Sequence, residues 1–185
     1  MGYVKDRIKK LSKEAGSKTA ARKVAMKWFK SSAATVQPTR ENFKPGKIYI
    51  FDYTPITEDI QWFDKKPVVL AMGKIGNNDL GVNLNLLPNN VKEDLLEDLS
   101  IKMNGTMQSN GSKPAVSQKP LRITYEGMEN YLKRTGCDFA IRQYFPPAKK
   151  NQRVVSYQKW PDIALCDFIS LSGTTISEIR SWFSK

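Results

Sequence analysis

Charge is crowded into the first quarter of the chain, and no other feature constrains the fold as much. Residues 1–47 carry thirteen Lys and Arg against three acidic residues, a net +10. Residues 48–185 hold seventeen against fifteen, a net of only +2. The sequence therefore describes two parts, a basic segment over 1–37 and a nearly neutral body over 38–185. The basic part reads as helical. Val4, Ile8 and Leu11 recur at helical spacing, and Gly16 offers a stop. Ser17 is placed to cap a second helix from Lys18 to about Ala34, with Pro38 ending it. On that helix Ala21, Val24, Ala25 and Trp28 fall on one side, Lys23, Lys27 and Lys30 on the other, and Arg22 at the flank.

Composition narrows the chemistry. Apolar residues make up 40% and aromatics 10% of the 185 residues, enough for a true core and too much for a disordered basic tail. The chain has no His, which removes Ser-His and Cys-His nucleophiles. Its two cysteines, Cys137 and Cys166, cannot build a disulfide framework or a four-ligand zinc site. The expectation is a non-enzymatic protein without metal or cofactor. No run approaches the ~20 apolar residues of a membrane span, and the N-terminus lacks the apolar stretch of a secretory signal. A reduced, intracellular setting fits.

The body opens with period-two patterning. Lys47–Tyr53 follows the turn signal Pro45-Gly46, Pro67–Met72 is a continuous apolar run, and Gly76-Asn77-Asn78-Asp79 predicts a hairpin leading into a strand from Leu80 to Leu87. Such strands suggest an α+β fold with a small curved antiparallel sheet or SH3-like barrel and packed helices. Asn90 is expected to cap a helix whose buried stripe is Val91, Leu95, Leu99 and Met103, leaving Glu93, Asp94, Glu97 and Asp98 in water. Residues 104–120 are polar and rich in Gly, Ser and Pro, as in a flexible loop. Tyr125 to Phe145 reads as helix, breakable at Gly136. Gln152–Tyr157 and Asp162–Ile169 read as strands. Thr175-Ile-Ser-Glu178 is a capping box for a terminal helix with Trp182 and Phe183 on its apolar face.

Three roles fit the basic helix. Lysines at i, i+4 and i+7 suit successive phosphates of a nucleic acid. The same face suits an acidic protein or an anionic membrane, or it is merely solvated. No base-reading motif accompanies it, so DNA contact would be non-specific. The candidate DNA-binding residues are Lys9, Lys10, Lys13, Lys18, Arg22, Lys23, Lys27 and Lys30, and the candidate partner-interface residues are Trp28, Trp182 and Phe183.

Several stretches together resemble a family of virion proteins from large contractile-tailed phages, the DNA end protector or head-completion proteins. They are Pro45–Tyr53, Trp62–Leu70, Leu80–Pro88, Cys137–Tyr144 and the apolar run from Trp160 to Phe168. The resemblance implies a structural virion protein that contacts double-stranded DNA, with portal, neck or tail components as partners and no membrane. It implies location in the virion, and in the host cytoplasm during assembly. A ring or neck position would bring cyclic symmetry. A purely structural neck, tail or baseplate role, with the basic segment on an acidic neighbour, is the alternative. A second resemblance, to SH3-like barrels that include ribonuclease toxins, would add nucleic-acid processing, but no compact set of acid, base and phosphate-holding residues accompanies it.

Overall fold

A computed structural model describes residues 2–32, 38–39, 41–54, 64–104 and 123–169, with 175, 177, 178 and 181. Its centre is a five-stranded, wholly antiparallel sheet of β1 (Ile48–Tyr53), β2 (Val68–Ile75), β3 (Asn78–Asn83), β4 (Ile141–Tyr144) and β5 (Lys149–Val155), in the order β4-β3-β2-β1-β5. Gly46 turns the chain into β1 with φ +83°, and Gly76 makes the hairpin between β2 and β3 with φ +56°. Strand β3 stops at Asn83, four residues short of Leu87. There the Asn83 side chain accepts the Asn85 N–H at 3.0 Å and folds Leu84–Leu86 into a 3-10 turn.

The connectivity demands curvature. Strands β4 and β5 are consecutive in the chain yet form opposite edges of the sheet. Four inter-strand spacings span about 19 Å if flat. Residues 145–148 join the edges through a 3-10 turn at Pro146–Ala148, whereas full extension from Tyr144 to Lys149 gives at most about 18 Å. The sheet must curl, and the curl brings Lys149 of β5 onto Asp79 of β3 as a buried ion pair. The curled sheet stays open, so the curved-sheet expectation holds and the closed barrel does not.

Alternation along β1 divides two cores. Ile48 and Ile50 join Val68, Leu70, Leu80 and Val82 beneath the helices. Tyr49 and Phe51 join Phe43, Val69, Ala71 and Tyr144 on the other face. There Phe43 stacks on Tyr49 at 4.7 Å and Phe51 meets Tyr144 edge-on at 5.2 Å. Lys149 lies 4.1 Å from the Phe43 ring centre. At the rim, Asp64 accepts from Asn85 Nδ2 and from the Lys66 N–H at 3.1 Å, and burial pushes its carboxyl above the usual range.

Five helices cover the first face: α1 (Tyr3–Glu14), α2 (Lys18–Ser32), α3 (Asn89–Asn104), α4 (Tyr125–Arg134) and α5 (Trp160–Leu165). The breaks around α1 and α2 follow expectation: Gly16 has φ +83°, and Ser17 Oγ accepts the Ala20 N–H at 3.1 Å. The buried stripe of α2 is rotated from the expected one. Ala21, Ala25 and Phe29 form it at strict i, i+4, i+8 spacing, Trp28 is half-buried, and Val24 is 60% exposed beside the lysines. Phe29 takes Val24's place because it meets Phe168 edge-on at 4.9 Å.

Three further expectations are corrected. Helix α3 begins at Asn89, so Asn90 lies within it and is not its cap. Helix α4 ends at Arg134. Gly136 then takes φ +63°, and Asp138–Ala140 and β4 replace the expected continuation of the helix to Phe145. The expected strand over 162–169 is largely α5, with Pro161 in its first turn, where its missing N–H is harmless. The Thr175–Glu178 capping box forms reciprocally, at 2.7 and 3.3 Å. Residues 105–120 of the polar loop, and Trp182 and Phe183, lie outside the described residues.

Gly81 in β3 has no room for a side chain: a Cβ would sit 2.4 Å from Val69 Cγ1 and 2.7 Å from the Leu70 carbonyl oxygen. Gly81→Ala is expected to destabilise the fold by about 1–3 kcal/mol, read as an earlier urea midpoint with unchanged slope.

Candidate nucleic-acid interface

The basic N-terminal helices are held by carboxylates that their sequence pattern assigns to water. Glu93 and Glu97 of α3 are only 7% and 4% exposed, whereas Asp94 and Asp98 face solvent. Glu97 receives the Gly2 N–H at 2.5 Å and the Lys5 N–H at 3.0 Å. Its carboxylate thus takes two of the unpaired donors at the start of α1, where the helix dipole favours negative charge. Glu93 pairs with Lys18 at 2.7 Å and Arg22 at 3.7 Å, fixing the first turns of α2. Lys5 also reaches Asp94 at 2.8 Å. A second i, i+4 row, Lys92–Leu96–Ser100, is buried beside Val91–Leu95–Leu99, making α3 a central helix. That doubled stripe, opposite a +10 segment in need of acidic partners, is the sequence signal for the inward carboxylates.

This docking orients α2 so that its cations face outward. Arg22, Lys23, Lys27 and Lys30 line one open groove of about 780 Å³ with Thr19, Met26, Ser31 and Asp167. Four of the eight candidate cations are thereby brought together. From Arg22 to Lys30 the helix advances about 12 Å. Lys18 is drawn aside by Glu93, and Arg22 serves both Glu93 and the groove. Lys9, Lys10 and Lys13 are exposed on α1, with Lys10 3.9 Å from Glu14. Trp28 carries the Lys159 ammonium 4.9 Å from its ring and leans on the core.

Behind the groove, Lys92 is wholly buried. It donates to the Cys166 carbonyl and to Asn89 Oδ1 at 3.2 Å, and lies 4.6 Å from the Phe168 ring centre. Burial pushes its ammonium down to about 8, against the pull of the Asp167 and Glu93 carboxylates. Among the described residues no helix is long and apolar enough to cross a membrane, and no three His, Cys, Asp or Glu side chains group as metal ligands.

The molecule is thus an open antiparallel sheet under a helical layer, with Arg22, Lys23, Lys27 and Lys30 gathered on the outward face of α2. The chain belongs to the family of the Phage T4 terminal DNA protecting protein, whose family model matches residues 2–174. Membership supports a structural, DNA-end-protecting protein of a T4-like phage. No curated protein and no solved structure matches the chain.

Glu97→Ala should lower stability by about 1–2 kcal/mol, as loss of a helix cap does, with hydrogen exchange fastest at the amides of Gly2 and Lys5. Lys92 predicts a pH dependence. Its folded-state value lies below the unfolded ~10.4, so the unfolded chain binds more protons between about pH 8 and 10.4 and stability from this group rises with pH there. The stability of Lys92→Met minus that of the wild type should therefore shrink from pH 7.5 to 9.5, measured by urea unfolding.

Proposed function

We propose that the chain is a virion protein of a tailed phage, at the head-completion or neck position, that grips double-stranded DNA through the α2 groove. In this reading the curved sheet and α3 form the body that places the protein against portal, neck or tail components. Arg22, Lys23, Lys27 and Lys30, supplemented by Lys9, Lys10, Lys13 and Lys18, neutralise backbone phosphates without reading bases. The observation that carries it is the convergence of four cations on one groove in a chain of the terminal DNA protecting family. The reading assigns no catalytic step, and places the chain in the host cytoplasm while particles assemble.

Duplex binding measured against salt tests it. Four to eight phosphate contacts predict a log–log slope of about −4 to −7. Replacing Lys23, Lys27 and Lys30 together by Ala should make the slope shallower by about 2–3. A wild-type slope near about −1, or a triple variant that binds as the wild type does, would contradict the assignment. In the second case the purely structural alternative, with the helix on an acidic protein, takes its place.

A further inference from the structure

One cation of the α2 groove is also held from inside the molecule. Arg22 lines the groove, and its Nη2 lies 3.7 Å from Glu93 Oε1. That separation is well beyond the ~2.7–2.9 Å of a charge-assisted hydrogen bond. Neither group is satisfied by it. Glu93 Oε1 and Arg22 Nε are both buried without a hydrogen-bond partner, which is a costly state for a polar atom. The other Glu93 oxygen is engaged, with Lys18 donating to Oε2 at 2.7 Å.

The two cations on Glu93 therefore differ. Lys18 makes the short contact and ties the first turn of α2 to α3. Arg22 makes the long one, from a side chain that is still 34% exposed at the groove. A guanidinium is a planar fork of N–H donors that suits the paired oxygens of a phosphate. A phosphate in the groove can give Arg22 the hydrogen bonds that Glu93 does not, and leaves the Lys18 contact intact.

We infer that Glu93 and a DNA backbone phosphate compete for Arg22, so that Glu93 sets how tightly the groove binds. In the free protein the guanidinium rests against Glu93. In the complex it turns outward to the phosphate, and Lys18 alone keeps Glu93 paired. Binding has to break the Arg22–Glu93 attraction, so the ligand gains only the difference between the two arrangements. Glu93 is thus a positioning residue that lowers affinity, whereas a purely structural role would make its loss weaken binding. The inference rests on the DNA reading of the groove proposed above.

The test is duplex binding by the full chain, measured by fluorescence anisotropy at equal salt. Glu93→Gln keeps the shape of the side chain and an oxygen for Lys18, and removes the charge that attracts Arg22. It should bind the duplex about 1.5- to 5-fold more tightly than the wild type, the range of one partly exposed ion pair. In an Arg22→Gln background the same substitution should bring no gain. Asp94→Asn is an equal change of charge one residue along α3, at a carboxylate that meets Lys5 of α1, and should change affinity far less. A second measurement leaves Glu93 untouched: the Arg22 Nε–H resonance of the wild type, assigned by its loss in Arg22→Lys, should shift on saturation with duplex. If Glu93→Gln does not fold, that resonance decides alone. Unchanged or weaker binding by folded Glu93→Gln, an equal gain in the Arg22→Gln background or in Asp94→Asn, or an Nε–H resonance that duplex leaves in place overturns the inference. A wild-type salt slope near about −1 refutes the DNA reading and this inference with it, whereas a steep slope without a gain in Glu93→Gln refutes this inference alone.

Discussion

Two buried carboxylates, Glu93 and Glu97, decide how the basic first quarter of this molecule meets the rest. A helix carrying Lys18, Arg22, Lys23, Lys27 and Lys30 has a modest apolar stripe, Ala21–Ala25–Phe29, which alone would set its depth on the core but hold its rotation weakly. The Glu93 contacts to Lys18 and Arg22 supply that rotation. Glu97 does the corresponding work for α1 by taking its first free amides. Since a buried carboxylate without partners is strongly disfavoured, each docking contact also satisfies the group that makes it. Charge at the start of α2 is used internally, and Lys23, Lys27 and Lys30 further along stay exposed.

The body follows from a different constraint, the short link between the two edge strands. Residues 145–148 cannot cross a flat five-stranded sheet, so the sheet curls and creates a face lined by Phe43, Tyr49, Phe51 and Tyr144, with the Asp79–Lys149 pair among them. The same link lifts Phe145 into solvent. One geometric requirement thus accounts for the aromatic core, its buried ion pair and the exposed ring at its mouth.

Most local signals were legible in the sequence, the expected Asn90 cap, which lies inside α3, excepted. Gly16, Ser17, Gly46, the Gly76 hairpin and the Thr175–Glu178 box act within a few residues, and each behaves as its chemistry dictates. Segments decided by distant partners were not legible. A buried apolar run such as 162–169 fits helix and strand equally by periodicity, and packing beneath α2 and α3 selects the helix. Val24 and Phe29 compete for one face of α2, and only Phe168, far along the chain, favours Phe29. Glu93 and Glu97 look like solvated acids until the basic helices are seen lying on them. Among the candidate cations, spacing alone indicated Lys23, Lys27 and Lys30. That Lys18 is held by Glu93, and that Asp167 faces the groove, depends on tertiary contacts.

The central claim is that the outward face of α2 is a surface for DNA. A reconstruction of the assembled particle that resolves this chain tests it most directly. The account predicts that Lys23, Lys27 and Lys30 border density for packaged DNA. Finding the same face closed against an acidic surface of a neighbouring virion protein, with no DNA beside it, would contradict it.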